Sequence, residues 1–402
     1  MRAITRKLWR DAWHSRGQLG AIALVVTAGM ALFVSLRSMH GYLREARDTY
    51  YREARFGDAF AFVSRAPRAI LGDLAAVPGI REVEARLVYD VTLDVPGLDE
   101  PATGRLVSVP VPRAPMLNAL TLTRGRWPDP GHHDEVIISQ AFARANALAP
   151  GDSLGAVING TWRTLRVVGT AISPEYVYEI GAASIFPDNR RFGVLWMDTD
   201  AVAAAFDMRG AFNAVTLLLA PQAPVTPALT AVDTLLAPFG GPGAFPRRDQ
   251  LSDQFLSGEI EETQVTSILL PAIFLGVTAF LLHIVLSRLV GTQREQVAML
   301  KAFGYRDATI AAHYLALALV PIGVGGVVGG VLGAALADGL AEVYARFFQF
   351  PFAAYRQDPG VVVVGLAITM GAGLAGAMRA VRRTVALPPA EAMRPEAPAR
   401  YQ

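Results

Sequence analysis

Over most of the chain polar and apolar residues alternate at short range, but four stretches break that pattern by being apolar almost throughout. They cover residues 19–36, 265–290, 310–337 and 361–378. A helix needs about 20 such residues to cross the hydrocarbon core of a bilayer, and four nearly uncharged runs of this length predict four membrane-spanning helices. The first follows a basic start, as a cleaved signal peptide would. However, Leu36-Arg37-Ser38-Met39-His40 offers no small-x-small cleavage site and leads straight into a charged helical pattern. An uncleaved span is expected.

Residues 37–264 carry the pattern of a water-exposed domain. Residues 39–56 place Tyr42, Ala46 and Tyr50 at helical spacing among Arg44, Glu45, Arg47 and Asp48, and residues 249–263 place Leu251, Phe255 and Ile260 on one face. Two such helices flanking a globular body would form a stalk. Between them the period changes to that of strands. The run from Gly79 to Val88 reads as one strand, and Glu135 to Ser139 as a short buried one. Residues 156–158 and 161–168 flank Asn159-Gly160, the signature of a type I′ hairpin turn. Short helices are expected over 140–146 and 199–206. The fold class is therefore a membrane protein: an α-helical four-span bundle with a large inserted α+β extracytoplasmic domain.

Charge placement gives an orientation, because loops rich in Arg and Lys stay on the cytoplasmic side. Residues 1–18 hold Arg2, Arg6, Lys7, Arg10 and Arg16 against Asp11; the loop 291–309 holds Arg294, Lys301 and Arg306, with Arg288 just before it; the tail 379–402 holds Arg379, Arg382, Arg383, Arg394 and Arg400. The loop 338–360 balances Arg346 and Arg356 with Asp338, Glu342 and Asp358. Both termini and the 291–309 loop are expected inside the cell, with 37–264 and 338–360 outside.

Composition narrows the chemistry. Only 18% of residues are charged, 52% are hydrophobic and mean hydropathy is +0.33, which excludes a disordered chain. Without cysteine there is no disulfide framework, thiolate metal site or cysteine nucleophile. Gly151-Asp152-Ser153-Leu154-Gly155 matches a nucleophile-elbow string by letters, but a hairpin rather than a helix follows it. Gly371-Ala372-Gly373-Leu374-Ala375-Gly376 matches a dinucleotide fingerprint, yet lies inside the fourth span, where small residues serve close helix packing. The same reading covers Gly325, Gly329 and Gly333, four apart in the third span with Gly326 and Gly330 beside them. His132-His133-Asp134-Glu135 lacks a second ligand cluster and reads as a solvated loop. His283 and His313, in or near spans, read as hydrogen-bonded groups in the bundle or at its interface. No catalytic residue and no metal ligand is expected. The spans are otherwise nearly bare of polar groups, a poor lining for a solute path.

A phosphate-cradling loop needs Gly-Lys followed by Ser or Thr. Lys7 precedes Leu8, Lys301 precedes Ala302, and neither follows glycine. ATP-driven work would need a partner. The positive signal is Gln293–Gly304, which reads as a short amphipathic helix closed by glycine. Val297, Leu300 and Phe303 fall on one side, with charges from Arg294, Glu295 and Lys301. The alternative is a basic loop resting on lipid headgroups.

The stretch Arg294-Glu295-Gln296-Val297-Ala298-Met299-Leu300-Lys301-Ala302-Phe303-Gly304-Tyr305 resembles the signature of FtsX/MacB-type ABC transporter permeases. Leu387-Pro388-Pro389-Ala390-Glu391-Ala392-Met393-Arg394-Pro395-Glu396 is similar to that family's closing motif. Glu135–Ser139, Gly151-Asp152 and Val167-Val168-Gly169 resemble the MacB-like periplasmic core domain. The resemblance implies a permease subunit that pairs as a homo- or heterodimer and works with two copies of an ABC ATPase, which bind the ATP and Mg. This chain itself would hold no cofactor and bind no nucleic acid. It also implies that Arg294, Glu295, Leu300, Lys301, Phe303 and Gly304 form the coupling helix. Gly325, Gly329, Gly333 and Gly373 are the expected packing residues. The expected location is the bacterial inner membrane, multi-pass, and a periplasmic partner protein is one further expectation. Similar relatives continue with a second hydrophobic half, so a four-span permease, a separately encoded half and a truncated chain are all expectations. Export or extraction of a lipid, lipoprotein, drug or peptide is the leading function. The alternative is a transmitter that activates a periplasmic enzyme without moving cargo.

Overall fold

The structure is a computed structural model describing residues 2–181, 186–348, 350–351 and 355–385. The chain opens with α1 (Arg2–His14) and, after Ser15, the long helix α2 (Arg16–Glu53). There follow β1 (Ala59–Pro67), α3 (Leu71–Ala75), β2 (Ile80–Arg86), β3 (Val88–Asp94), β4 (Ala102–Val109), β5 (Thr121–Gly125) and β6 (Glu135–Ser139). Next come α4 (Gln140–Ala145), β7 (Ser153–Ile158), β8 (Thr161–Ile172), β9 (Phe192–Asp198), α5 (Thr199–Ala205), β10 (Ala211–Leu219), α6 (Val225–Leu236) and β11 (Phe245–Pro246). The chain returns to helices with α7 (Leu251–Thr292), α8 (Arg294–Ala302), α9 (Asp307–Phe348) and α10 (Pro359–Val385).

These elements fall into two compact units. One comprises Met1–Tyr42, Glu261–Glu342 and Tyr355–Gln402; the other comprises Leu43–Ile260 and Val343–Ala354. In the first, α2, α7, α9 and α10 are each long and apolar enough to cross a membrane. Their shared core joins Ile22 and Val26 of α2, Leu282 and Leu286 of α7, Ala318 and Ile322 of α9, and Ala377 and Ala380 of α10. Large aliphatic side chains such as Leu24, Ile268, Val331 and Val363 are more than half exposed on the outside. That pattern suits a bundle solvated by lipid, where apolar side chains gain nothing by turning inward. Pro271 and Pro321 lie inside α7 and α9, as membrane helices tolerate.

The second unit holds two sheets. A four-stranded antiparallel sheet has the order β11-β1-β10-β2. The larger sheet has the order β5-β8-β6-β9-β4-β3-β7. In it β8 also pairs with β7, so six strands close into a ring of pairings from which β5 branches. β4–β9 and β6–β8 are parallel; the rest are antiparallel. The Asn159-Gly160 turn of the β7–β8 hairpin has φ of +48° and +74°, the left-handed pair that a type I′ turn requires.

The run from Gly79 to Val88 is not one strand. β2 ends at Arg86 in the four-stranded sheet and β3 begins at Val88 in the other, with buried Leu87 as the crossover. Side-chain groups replace the ladder there. Asn213 of β10 accepts from Val88 N and donates to Val88 O, both at 2.8 Å, and Ser108 Oγ accepts from Leu87 N at 2.9 Å. The helical readings of 39–56 and 249–263 correspond to the ends of α2 and α7, each continuous with an apolar run.

Candidate functional site

Helix α8 is separated from α7 by Gln293 alone and stops at a left-handed glycine. Gly304 has φ of +87°, its N–H donates to Lys301 O at 2.9 Å, and Tyr305 N–H donates to Leu300 O at 3.1 Å. This pair of bonds is the Schellman closure, which glycine accommodates without steric strain. Val297 and Ala298 are buried, and Val297 packs with Val290, Ile310, Tyr314 and Val381, with Leu300 at the margin. Lys301 bridges to Asp307 at the start of α9, 2.9 Å away. The helix is thus fixed on one side.

Its other side is open. Glu295 is exposed, and Met299, Phe303 and Tyr305 are 50%, 80% and 38% exposed. Phe303 therefore does not share the buried side of Val297 and Leu300. The helix ends at Ala302, and Phe303, as its cap residue, turns outward. Met299 and Tyr305, which the periodicity does not single out, complete the exposed apolar group. For Tyr305 the signal is Gly304, since a residue beside a tight helix end is carried away from the core; Met299 lies within α8, two residues past buried Val297. The backbone of Arg294 forms the first residue of α8.

Beneath α8 lies a polar knot. Gln293 Oε1 accepts from Lys7 Nζ of α1 at 3.0 Å and from Tyr314 Oη of α9 at 2.8 Å. Lys7 also pairs with Asp11, whose Oδ2 lies 3.3 Å from His313 Nε2. Asp11 and His313 are each 7% exposed, so the knot ties α1 to the α7–α8 joint and to α9. His283, on α7, has no such partner for Nδ1 among the described residues. α1 itself, and Gln293 as its anchor, lie outside the sequence reading, because α1 is too polar to be taken for a span and its anchor stands 286 residues further along the chain.

The glycines of α9 face α2. A Cβ on Gly325 would sit 2.5 Å from Ala23 O, one on Gly329 2.6 Å from Thr27 O, and one on Gly333 2.8 Å from Ala31 O. On an adjoining side, Gly326 and Gly330 face Leu366 and Val362 of α10. Gly373 of α10 faces Ile322, and Gly376 approaches the Ala279 backbone of α7.

In the sheet unit, the ends of α2 and α7 meet a second polar cluster. Arg86 is buried and donates to Glu84 and Glu175, each at 2.8 Å, and to Leu117 O. Burial opposes its charge, but the two carboxylates raise its pKa above the ordinary value. Asn118 donates to Glu175 at 2.7 Å and accepts from Gly57 N, just beyond α2. Gln250 Nε2 donates to Glu175 O at 2.7 Å, and Ser252 of α7 bonds both Tyr178 N and Tyr178 O. The segment 173–180 is thereby clasped between both helix ends. It also carries Glu179, which takes a 2.6 Å hydrogen bond from Ser139 and whose pKa burial pushes up to about 8.

The His132–Glu135 loop brings Asp129, His132 and Glu135 together, with potential ligand atoms within 4.8 Å of one another. Their chemistry is that of an ion-pair knot. Glu135 takes two hydrogen bonds from Arg126, at 2.9 and 2.6 Å, one from Asp129 N at 2.9 Å and one from Arg166. Hydrogen bonding by Arg126 holds its carboxyl down at about 2 against the opposing effect of burial. Two guanidiniums beside one carboxylate repel a cation. Ser153 of the nucleophile-like string is the first residue of β7 and is exposed, and the Gly371–Gly376 string lies within α10. The tail motif from Leu387 to Glu396 lies outside the described residues.

Residues 268–389 match the family model of the FtsX-like permease C-terminal domain. The match spans α8, α9 and α10. No curated protein matches the chain. Among solved structures, the extracellular domain of the ABC-type transporter YknZ from Gram-positive bacteria aligns at 12% identity. That alignment covers 47% of this chain and 98% of that one, with a TM-score of 0.32. The periplasmic region of MacB from Actinobacillus actinomycetemcomitans aligns at 12% identity over 50% of this chain and 92% of that one, with a TM-score of 0.31.

Proposed function

We propose that this chain, whose residues 268–389 match the model of the FtsX-like permease C-terminal domain, is the membrane subunit of an ABC transporter and is driven by a separate ATPase through α8. The observation that carries the reading is the exposed group Met299, Phe303 and Tyr305 on a helix otherwise pinned to the bundle. A loop that merely joins two spans needs about two to eight residues and has no use for a capped helix with an outward phenylalanine. A rigid knob with an apolar tip and adjacent charge fits a pocket on a partner. In this reading α8 faces the cytoplasm, the sheet unit lies outside, and the ATPase supplies ATP and Mg in two copies to a permease dimer in the inner membrane. Movement of α8 would pass along α2 and α7 to the outer clasp. The cargo is a lipid, lipoprotein, drug or peptide; the transmitter reading shares the same coupling and differs only in what the outer domain meets.

The experiment begins with co-purification of the full chain with its ATPase. Phe303→Ser and the charge reversal Glu295→Lys are expected to lower ATPase recovery at least tenfold, the loss of about 1.4 kcal/mol, with melting temperature unchanged. Because the chain has no cysteine, a single Glu295→Cys variant reports sidedness directly. An impermeant maleimide should label it only after the cells are opened. Labelling of intact spheroplasts, or full ATPase recovery with both variants, would end this reading.

A further inference from the structure

The exposed side of α1 takes no part in the knot beneath α8, and it lies outside the family match at 268–389. Arg6, Trp9, Arg10, Trp13 and Arg16 are all exposed, and both tryptophans are more than 70% so. Spacings of three and four put Arg6, Trp9, Arg10 and Trp13 along one side of α1, and Arg16, the first residue of α2, lies against Trp13. The opposite side is held inward by Lys7 and Asp11 in the knot with Gln293 and His313. α1 is therefore not a loose arm, and its outward side is fixed in direction relative to the bundle it is tied to.

Two large indoles in water are unfavourable unless something covers them. The sequence fixes where they stand: one residue, Ser15, separates α1 from α2, whose apolar run starts at Leu19. A helix so joined to a span stands at the depth of the headgroups. Tryptophan prefers that layer because its ring is apolar and its N–H is polar. The three guanidiniums interleaved with the rings, one of them (Arg16) 5.1 Å from the centre of the Trp13 ring, match an anionic phosphate in charge and in hydrogen-bond geometry.

We propose that the outward side of α1, formed by Arg6, Trp9, Arg10 and Trp13, together with Arg16 at the start of α2, binds anionic phospholipid headgroups and so seats the knot beneath α8 on the membrane surface. The occupant is the bilayer in which α2 is inserted, and the inference needs only that insertion, not the ATPase reading. Each arginine favours an anionic over a zwitterionic headgroup by about fivefold, the equivalent of about 1 kcal/mol.

The test uses the full chain in nanodiscs of brominated phosphatidylglycerol or brominated phosphatidylcholine, with tryptophan fluorescence as the readout. The other three tryptophans, Trp127, Trp162 and Trp196, belong to the sheet unit. Quenching is expected to be stronger in phosphatidylglycerol, and to be lost in the Trp9→Phe, Trp13→Phe double variant. The triple variant Arg6→Gln, Arg10→Gln, Arg16→Gln should keep quenching but lose the preference between the two lipids. Retention in the membrane after alkaline extraction, read on the same samples, separates failure of headgroup contact from failure to insert. Equal quenching in the two lipids for the native chain, or quenching unchanged in the double tryptophan variant, would overturn the proposal. So would indoles shielded only when the ATPase is added, since the surface would then belong to that protein.

Discussion

Glu135 shows how a single carboxylate decides the character of a loop. Its two oxygens are taken by Arg126, Arg166 and the Asp129 N–H, so a string that spells a metal site becomes a structural pin for β6. Its folded pKa of about 2 lies below the unfolded value of 4.5. Above pH 4.5 the pin contributes in full; as pH falls toward 2 the unfolded chain takes up the proton first and that stability is lost. Thermal unfolding of the full chain in detergent should therefore decline over this window, and Glu135→Gln should remove that part of the decline. The same variant should lower stability by about 2 kcal/mol at neutral pH, because it removes a charged acceptor from a buried position while the half-exposed arginines relax into water. A variant as acid-sensitive as the native chain would mean that other carboxylates govern the transition.

At the scale of elements, the close approach of α9 to α2 is set by backbone and not by side chains. A Cβ on Gly329 would meet Thr27 O at 2.6 Å, whereas one on Gly323 would meet nothing within 4 Å. Gly329→Ala is expected to destabilise the bundle by about 1–3 kcal/mol, since carbonyls in α2 cannot swing aside. Gly323→Ala should be neutral or stabilising by about 0.5–1 kcal/mol, through helix propensity alone. Melting of the two variants in detergent separates them, and equal effects would mean that the helices are free to part. This packing was legible in the sequence because four-residue spacing of glycine has a single geometric meaning on a helix. So were the spans, which absence of charge defines without any tertiary information. Leu87 was not legible: residues on both sides of it have strand character, and only the partners Asn213 and Ser108, far along the chain, reveal the change of sheet. Nor was the Arg86–Glu175 pair, whose partners are 89 residues apart. Phe303 misled periodicity because a helix period holds only as far as the helix does.

Across the whole molecule three helices contribute residues to both units: α9 only by residues 343–348, and more fully α2 and α7, by residues 43–53 and 251–260. At about 1.5 Å per residue the 38 and 42 residues of α2 and α7 extend roughly 57 and 63 Å, about twice the hydrocarbon thickness of a bilayer at ~30 Å. Neither is interrupted between its apolar part and the end held by the clasp at Glu175, Asn118 and Ser252. An unbroken helix transmits a push because bending it means breaking consecutive backbone hydrogen bonds. If the sheet unit is worked in this way and needs both rods, four glycines inserted into α2 between His40 and Gly41 should disconnect it, as each lowers helix stability by about 1 kcal/mol. The inserted chain should still enter the membrane and still recover the ATPase, since α8 and the knot around Gln293 are untouched. What it should lose is the response of the clasp around Glu175 to nucleotide. Hydrogen exchange in segment 173–180 is expected to change when ATP is added to the native complex and to stay constant in the insertion variant, with hydrolysis continuing in both. An ATP response that survives the insertion would show that α2 is not needed, the sheet unit being reached through α7 alone or by another route.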